Sequence, residues 1–132
     1  MYTREESGEN EDMIKDDKQI YLDVTRLMHE LGCPAHLKGH DYLRRAIVKV
    51  YLDNSYLNNL VDRLYTDLAE EFHTSRYAVE RGIRSVIETA WLRGNYDAIN
   101  VIFGNTVDNM RAKPCNKEFI AMLVDVLKVN SI

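Results

Sequence analysis

The chain has 132 residues, of which 45% are hydrophobic and 29% charged, with six glycines and two prolines. This length and composition predict one globular domain and exclude a disordered, collagen-like or low-complexity chain. The net charge of −4 is uneven, because residues 1–20 hold seven acidic and three basic residues while the rest of the chain is balanced. We therefore expect residues 1–18 to form an acidic disordered arm or linker and residues 19–132 to form the folded domain.

The sequence also indicates where the protein works. No apolar run approaches the roughly 18 residues that a membrane span needs, and the N-terminus shows no signal-peptide pattern. The two cysteines, Cys33 and Cys115, are too few for a disulfide framework, which favours a reducing compartment. We therefore expect a cytoplasmic protein with no membrane partner.

Helical periodicity dominates the chain after the arm, and no segment shows the alternation typical of strands. Apolar spacing predicts a helix that ends at Gly32, a second helix through residues 43–51 and a short third helix around residues 57–64. Asn95 is expected to cap a helix over residues 96–103, and Asn116 is expected to cap the last helix. The sequence thus predicts an all-α fold, a compact bundle of about six helices.

The segment between Thr66 and Asn95 predicts a helix-turn-helix at the centre of this bundle. Thr66 is expected to cap a short helix over residues 67–72, and Ser75 is expected to cap a longer helix over residues 76–92. A short helix, a tight turn and a longer helix are typical of DNA-binding helix-turn-helix motifs. His73 stands in the turn where glycine is usual.

Arg81 and Arg84 lie one turn apart on the exposed face of the predicted longer helix. Arginine can donate paired hydrogen bonds to the guanine edge in the major groove, and Glu80 beside them can accept from cytosine or orient Arg84. The same pattern also fits a solvated helix face with ion pairs inside the helix. Periodicity alone leaves both interpretations open.

Other chemistry has weaker support in the sequence. Gly32 and Pro34 interrupt the segment that holds the residues typical of zinc ligands, so these side chains need not converge. We expect His29, which lies next to a core face, to be a structural histidine, and we expect no metal site. The residues concerned are His29, Cys33, His36 and His40. The chain has no glycine-rich phosphate loop, no cysteine–histidine nucleophile pattern and no suitable carboxylate pair, so we expect neither an enzyme nor a cofactor.

Nine short segments of the chain resemble a known family. This family is the C-terminal effector domain of stage zero sporulation protein A, the response regulator that starts endospore formation in Bacillota. The resemblance runs from about residue 20 to residue 129, in order and with almost no gaps. The segments are 29–32 (HELG), 34–39 (PAHLKG), 42–44 (YLR), 79–81 (VER), 90–95 (AWLRGN), 103–104 (FG), 106–107 (TV), 112–114 (AKP) and 116–122 (NKEFIAM).

The resemblance implies a six-helix domain whose recognition helix enters the major groove and reads a short box of the TGTCGAA type. Glu80, Arg81 and Arg84 match the positions that face bases in the family. The resemblance also implies that two domains bind neighbouring boxes head to tail as a homodimer. Phe103 and Val107 match a surface that contacts the RNA polymerase sigma factor.

We therefore interpret the chain as a sequence-specific transcription regulator that binds double-stranded DNA. We assign base specificity to Glu80, Arg81 and Arg84. We assign phosphate contacts to the N-terminal end of the recognition helix and to one lysine. The phosphate-contacting residues are Thr74, Ser75, Arg76 and Lys38.

Two departures from the family pattern support an alternative. Ala78 and Ser85 stand where the family has an arginine and a histidine that contact phosphate. The alternative is a protein-interaction module of the same fold that has lost specific DNA binding and acts on a regulator or on RNA polymerase.

The resemblance also implies an N-terminal receiver domain, which does not fit into the first 20 residues or so. We therefore expect either an excised effector domain or a stand-alone relative.

Overall fold

The computed structural model describes residues 16–104 and 113–130, and within these ranges it contains six α-helices and no strand. This confirms the predicted all-α bundle. None of the helices in the described ranges is long and apolar enough to cross a membrane. The helices are α1 (Asp17–Leu31), α2 (Lys38–Leu52), α3 (Thr66–Glu71), α4 (Arg76–Arg93), α5 (Tyr96–Phe103) and α6 (Asn116–Val129), with a 3-10 helix (Asn54–Asn58) and a π-helical segment (Leu60–Tyr65) between α2 and α3.

Helix α1 begins earlier than the sequence predicted. The carboxylate of Asp16 accepts a hydrogen bond of 2.8 Å from the backbone N–H of Gln19, so Asp16 is the N-cap, and Asp17 and Lys18 form the first turn. The predicted end at Gly32 is confirmed, because Gly32 adopts the left-handed conformation with φ of 86°. The rest of the predicted arm, residues 1–15, lies outside the described residues.

The helices enclose one hydrophobic core with α2 at its centre. Helix α2 packs against α1, α4 and α6, and its Ile47 and Val50 are fully buried. At the far side of the core, the rings of Phe103 and Phe119 stack at 5.4 Å between centroids. Helix α4 is therefore fixed to the body of the domain along its length, mainly through α2.

Two of the predicted helix caps are wrong. The chain is already helical at Thr66 because the π-helical segment leads directly into α3, and the Thr66 hydroxyl donates to the carbonyl of Val61 at 3.2 Å. The N-cap position of helix α6 is Cys115, and Asn116 is the first helical residue. The carboxylate of Glu118 accepts the backbone N–H of Cys115 at 2.9 Å. The predicted cap at Asn95 is confirmed by a hydrogen bond of 3.1 Å from the N–H of Ala98 to the side-chain oxygen.

Helices α2 and α4 approach each other closely at two glycines. A Cβ atom on Gly39 would lie 1.9 Å from the carbonyl oxygen of Gly82, and one on Gly82 would lie 2.9 Å from Cδ2 of Tyr42. Glycine inside a helix costs about 1 kcal/mol relative to alanine. The close approach of the two backbones explains why both helices contain glycine here.

Replacement of Gly39 by alanine tests this contact. Packing predicts that the substitution lowers the free energy of unfolding, whereas helix propensity predicts that it raises it. We expect Gly39→Ala to lower the free energy of unfolding by about 1–3 kcal/mol, as overpacking of a core does, although alanine favours the helix. Urea unfolding followed by circular dichroism measures the change. Ser85→Ala, at an exposed position of α4, is the control and should change stability by less than about 0.5 kcal/mol. A Gly39→Ala variant that matches or exceeds the wild-type stability would contradict the account.

Candidate nucleic-acid interface

Helices α3 and α4 are joined by a tight turn over residues 73–75. His73 has φ of 56°, and it is the one non-glycine residue with positive φ in the described part of the chain. The backbone N–H of Thr74 donates to the carbonyl of Ala69 at 2.8 Å, which folds the turn onto the end of α3. The Ser75 hydroxyl accepts from the N–H of Ala78 at 3.0 Å, so the predicted cap of the longer helix is confirmed. A histidine thus occupies the left-handed position that glycine usually fills.

Helix α4 has a buried face and an exposed face. The buried stripe consists of Val79, Ile83, Val86, Ile87 and Ala90. Tyr77, Arg81 and Arg84 lie on the opposite face, and 67% of Tyr77 is exposed. The helix that follows the turn therefore presents two arginines to the solvent.

The three predicted base-contacting residues lie together on α4. An amino group of Arg84 is 3.4 Å from a carboxylate oxygen of Glu80, and the two side chains are 47% and 34% exposed. The guanidinium of Arg81 lies 5.3 Å from the centroid of the Tyr77 ring. Exposed ion pairs contribute about 0–1 kcal/mol, so these partners can be exchanged for a ligand at low cost. The ion pair within the helix also matches the solvated-face interpretation.

Three of the predicted phosphate-contacting residues, Thr74, Ser75 and Arg76, lie at the N-terminal end of α4. The guanidinium of Arg76 pairs with the carboxylate of Asp62 at 3.1 Å, and the side chains are 53% and 72% exposed. The N-terminus of a helix favours anions because its backbone N–H groups and its dipole point outward. This end of α4 is therefore suited to a phosphate, and the exposed ion pair with Asp62 is weak enough for Arg76 to exchange it for an anion.

The fourth predicted phosphate-contacting residue, Lys38, lies on a different helix. It is the exposed first residue of α2, whose N-cap makes no side-chain hydrogen bond. Its neighbour Gly39 touches α4 at Gly82. The structure thus places Lys38 beside the middle of α4, separate from the cluster at the N-terminal end.

Sequence reasoning missed two residues on the other flank of α4. The side-chain amide of Asn116 donates to the hydroxyl of Tyr65 at 3.0 Å and to the backbone carbonyl of Glu80 at 3.2 Å. Tyr65 is only 3% exposed, and burial raises the pKa of its phenol. Asn116 was visible in the sequence only as a helix cap, and nothing in the local pattern around Tyr65 indicated a polar contact.

Phe103, predicted as part of a polymerase-contacting surface, is 1% exposed. Its ring stacks on Phe119 and meets the edge of Trp91 at 5.3 Å between centroids. Phe103 therefore lies beneath the surface of the domain, and the expected contact of this region with the polymerase stays a prediction. Val107, the second predicted residue, lies outside the described residues.

The histidines do not form a metal site in the part of the chain that the structure describes, where no group of three or more potential ligands converges. His29 and His36 are exposed, whereas His40 is 2% exposed and its Nε2 has no hydrogen-bond partner among the described residues. Burial, assisted by the charge of Arg44, lowers the pKa of His40. Burial also raises the pKa of Cys33 to about 12, which disfavours the thiolate that a metal requires.

The two cysteines should differ in reactivity. Cys33 is buried and Cys115 is exposed, so a thiol reagent at pH 8 should modify Cys115 in the folded protein and Cys33 only after unfolding. Mass spectrometry of the labelled chain, with and without denaturant, measures this, and Cys115→Ser should abolish the labelling of the folded protein. Equal labelling rates of the two thiols in the folded chain would contradict the described burial of Cys33.

The chain matches the model of a known family. The family model described as "Sporulation initiation factor Spo0A C terminal" matches residues 24–127. The matched region includes the whole of α2–α5, the turn between α3 and α4, and most of α1 and α6. All the candidate contact residues described above lie within it.

Proposed function

The chain belongs to the family of the C-terminal domain of sporulation initiation factor Spo0A, and we propose that it reads a TGTCGAA-type box in double-stranded DNA with α4 in the major groove. The family comprises DNA-binding effector domains of the sporulation-initiation type and is not an enzyme family. The observation that carries the proposal is the grouping of Arg81 and Arg84 on the exposed face of the helix that follows the turn, with the half-buried Glu80 at the edge of that face.

Base reading follows from the chemistry of these side chains. An arginine can donate two hydrogen bonds to O6 and N7 of guanine, and a carboxylate can accept from the amino group of cytosine. Glu80 and Arg84 already lie side by side, so together they offer one acceptor and one set of donors to neighbouring base pairs. Arg81 adds a second set of donors, and its present partner, the exposed Tyr77 ring, leaves it accessible.

We call the surface formed by Glu80, Arg81 and Arg84 the reading face. Affinity in this proposal comes from phosphate contacts on both sides of it. Thr74, Ser75 and Arg76 approach one phosphate through the N-terminal end of α4, and Lys38 approaches another from the start of α2. Since residues after the acidic N-terminal segment carry no net charge, these local groups supply the attraction to DNA. The proposed function also places the chain in the cytoplasm with the DNA.

Substitution of the reading arginines tests the proposal. We expect Arg81→Ala and Arg84→Ala each to cost about 1–3 kcal/mol in binding to the box and to relax selectivity at one base pair, because each removes a paired contact to a base. Fluorescence anisotropy with duplexes that carry single base-pair changes measures the effect.

Arg93→Ala is the matched control, since Arg93 lies exposed at the opposite end of the same helix, and it should leave selectivity unchanged. If Arg81→Ala and Arg84→Ala weaken binding equally to boxed and scrambled DNA, the assignment of these residues to bases is wrong.

Arg76 should act differently, through phosphate. We expect Arg76→Ala to weaken binding to boxed and scrambled duplexes alike and to reduce the slope of log K against log salt by about 0.9, the effect of one neutralised phosphate fewer. A salt titration of the variant and the wild type on both duplexes measures the slope. An unchanged slope would mean that Arg76 remains with Asp62 and does not reach the DNA.

The proposal extends to protein partners: head-to-tail homodimers on tandem boxes and the RNA polymerase sigma factor. It is supported by exposed apolar side chains around the corner between α4 and α5, where Leu92 and Val101 are 83% exposed and Tyr96 is 66% exposed. A protein partner that covers such side chains removes their apolar surface from water, which favours association. This corner lies close in the chain to the buried Phe103, which supports α5 from beneath.

The same exposed corner favours the second candidate, a module of this fold that binds proteins and has lost specific DNA recognition. Ala78 and Ser85 offer no cationic side chain to a phosphate, which would weaken DNA binding. The two candidates differ in one measurable property, because only the first predicts that the chain distinguishes boxed from scrambled DNA.

A further inference from the structure

One amide group links three elements at the edge of the reading face. The side chain of Asn116, at the start of α6, donates to the hydroxyl of Tyr65 at 3.0 Å and to the backbone carbonyl of Glu80 at 3.2 Å. Tyr65 is the last residue of the π-helical segment, and Glu80 lies in α4. Asn116 thus joins residues that are 51 and 36 positions away in the sequence.

The hydrogen bond to α4 falls on the turn that carries the proposed base contacts. In an α-helix the carbonyl of residue 80 also accepts the N–H of residue 84, so Asn116 binds the backbone of the turn that holds Glu80 and Arg84. The side chains of these two residues pair on the outside of the same turn at 3.4 Å. This hydrogen bond therefore joins the turn to the start of α6, in addition to the packing of α4 against α2.

The opposite flank of α4 is held by a different contact. Gly82 touches Gly39 of α2, and a Cβ atom on Gly39 would lie 1.9 Å from the Gly82 carbonyl oxygen. Glu80 and Gly82 are two residues apart, which places them about 200° apart around the helix axis. A backbone contact on one side and a polar bridge on the other together restrain α4 from turning about its axis.

Tyr65 in turn holds Asn116. Tyr65 is buried, with 3% of the residue exposed. Its hydroxyl accepts a hydrogen bond from the Asn116 amide. This leaves the other hydrogen directed at the Glu80 carbonyl. Tyr65 also ends a π-helical segment, a rare form that occurs often at functional sites. A polar network whose members are all hydrogen-bonded holds its elements in one arrangement.

We propose that Asn116, held by Tyr65, is a positioning residue that sets the rotation of α4 for base reading by Glu80 and Arg84. The proposal rests on the proposed DNA-binding function. Side chains that recognise a ligand must be held to about 0.5 Å and 10–20° by their supporting residues. A bridge that removes rotational freedom at the reading turn therefore contributes to selectivity without touching DNA.

The test uses Asn116→Ala, which removes the bridge, and Tyr65→Phe, which removes only the hydroxyl and keeps the buried ring. Fluorescence anisotropy measures binding of each variant to a boxed and a scrambled duplex at several salt concentrations. Each substitution should lower the boxed-to-scrambled preference about fivefold, as the loss of one hydrogen bond does. The double variant should lose no more than Asn116→Ala alone, since both changes break one network. Binding to scrambled DNA and its salt slope should not change, because no charge is lost.

Asn95→Ala is the matched control. It also removes an asparagine side chain that bonds at the start of a helix, but it lies beyond the C-terminal end of α4. It should lower the melting temperature through the lost cap and leave the preference for the box unchanged.

The outcomes separate the two proposals. If the wild type prefers the box and Asn116→Ala prefers it equally, the positioning role is wrong and the proposed function stands. Equal losses on both duplexes would also contradict the positioning role, because they indicate a general loss of structure. A wild type that does not distinguish the duplexes would overturn the proposed function and this inference with it.

Discussion

At Gly39 and Gly82 the backbones of α2 and α4 approach so closely that neither position has room for a side chain without a shift of its neighbour. Helix α2 is the centre of the core, in contact with α1, α4 and α6. The contact therefore attaches the longer helix of the motif to the element at the centre of the core. The exposed face of α4 can carry charged residues because its other faces are fixed by α2, by the core and by the bridge at Asn116.

Three arginines of α4 that are proposed to contact DNA have partners within the domain. Arg76, Arg81 and Arg84 each have a partner, respectively Asp62, the Tyr77 ring and Glu80. All these partners are largely exposed or lie on the same helix, so each contact is weak in water and can be exchanged. Each arginine is thus held on the surface of the domain by a weak contact that a ligand can replace.

Much of the fold could be predicted from the sequence, because the signals are local. Ser75 and Asn95 cap the helices that follow them, and Gly32 ends α1, since each acts on backbone groups within a few residues. Thr66 and Asn116 are also residue types that favour caps, but they have other roles. A π-helical segment that the local pattern did not predict runs directly into Thr66, and Asn116 bonds to residues distant in the sequence. The burial of Phe103 and the Asn116 bridge were likewise not predictable, because both require knowledge of which helices pack together.

The central claim is that α4 distinguishes one DNA sequence from another. The most direct measurement is the fluorescence anisotropy of the wild-type chain on a duplex with two tandem TGTCGAA-type boxes and on a scrambled duplex, at several salt concentrations. The account predicts a preference of about a hundredfold or more for the boxed duplex, since specific sites exceed non-specific DNA by large factors. Equal and weak binding to both duplexes would contradict it and would favour the protein-interaction module.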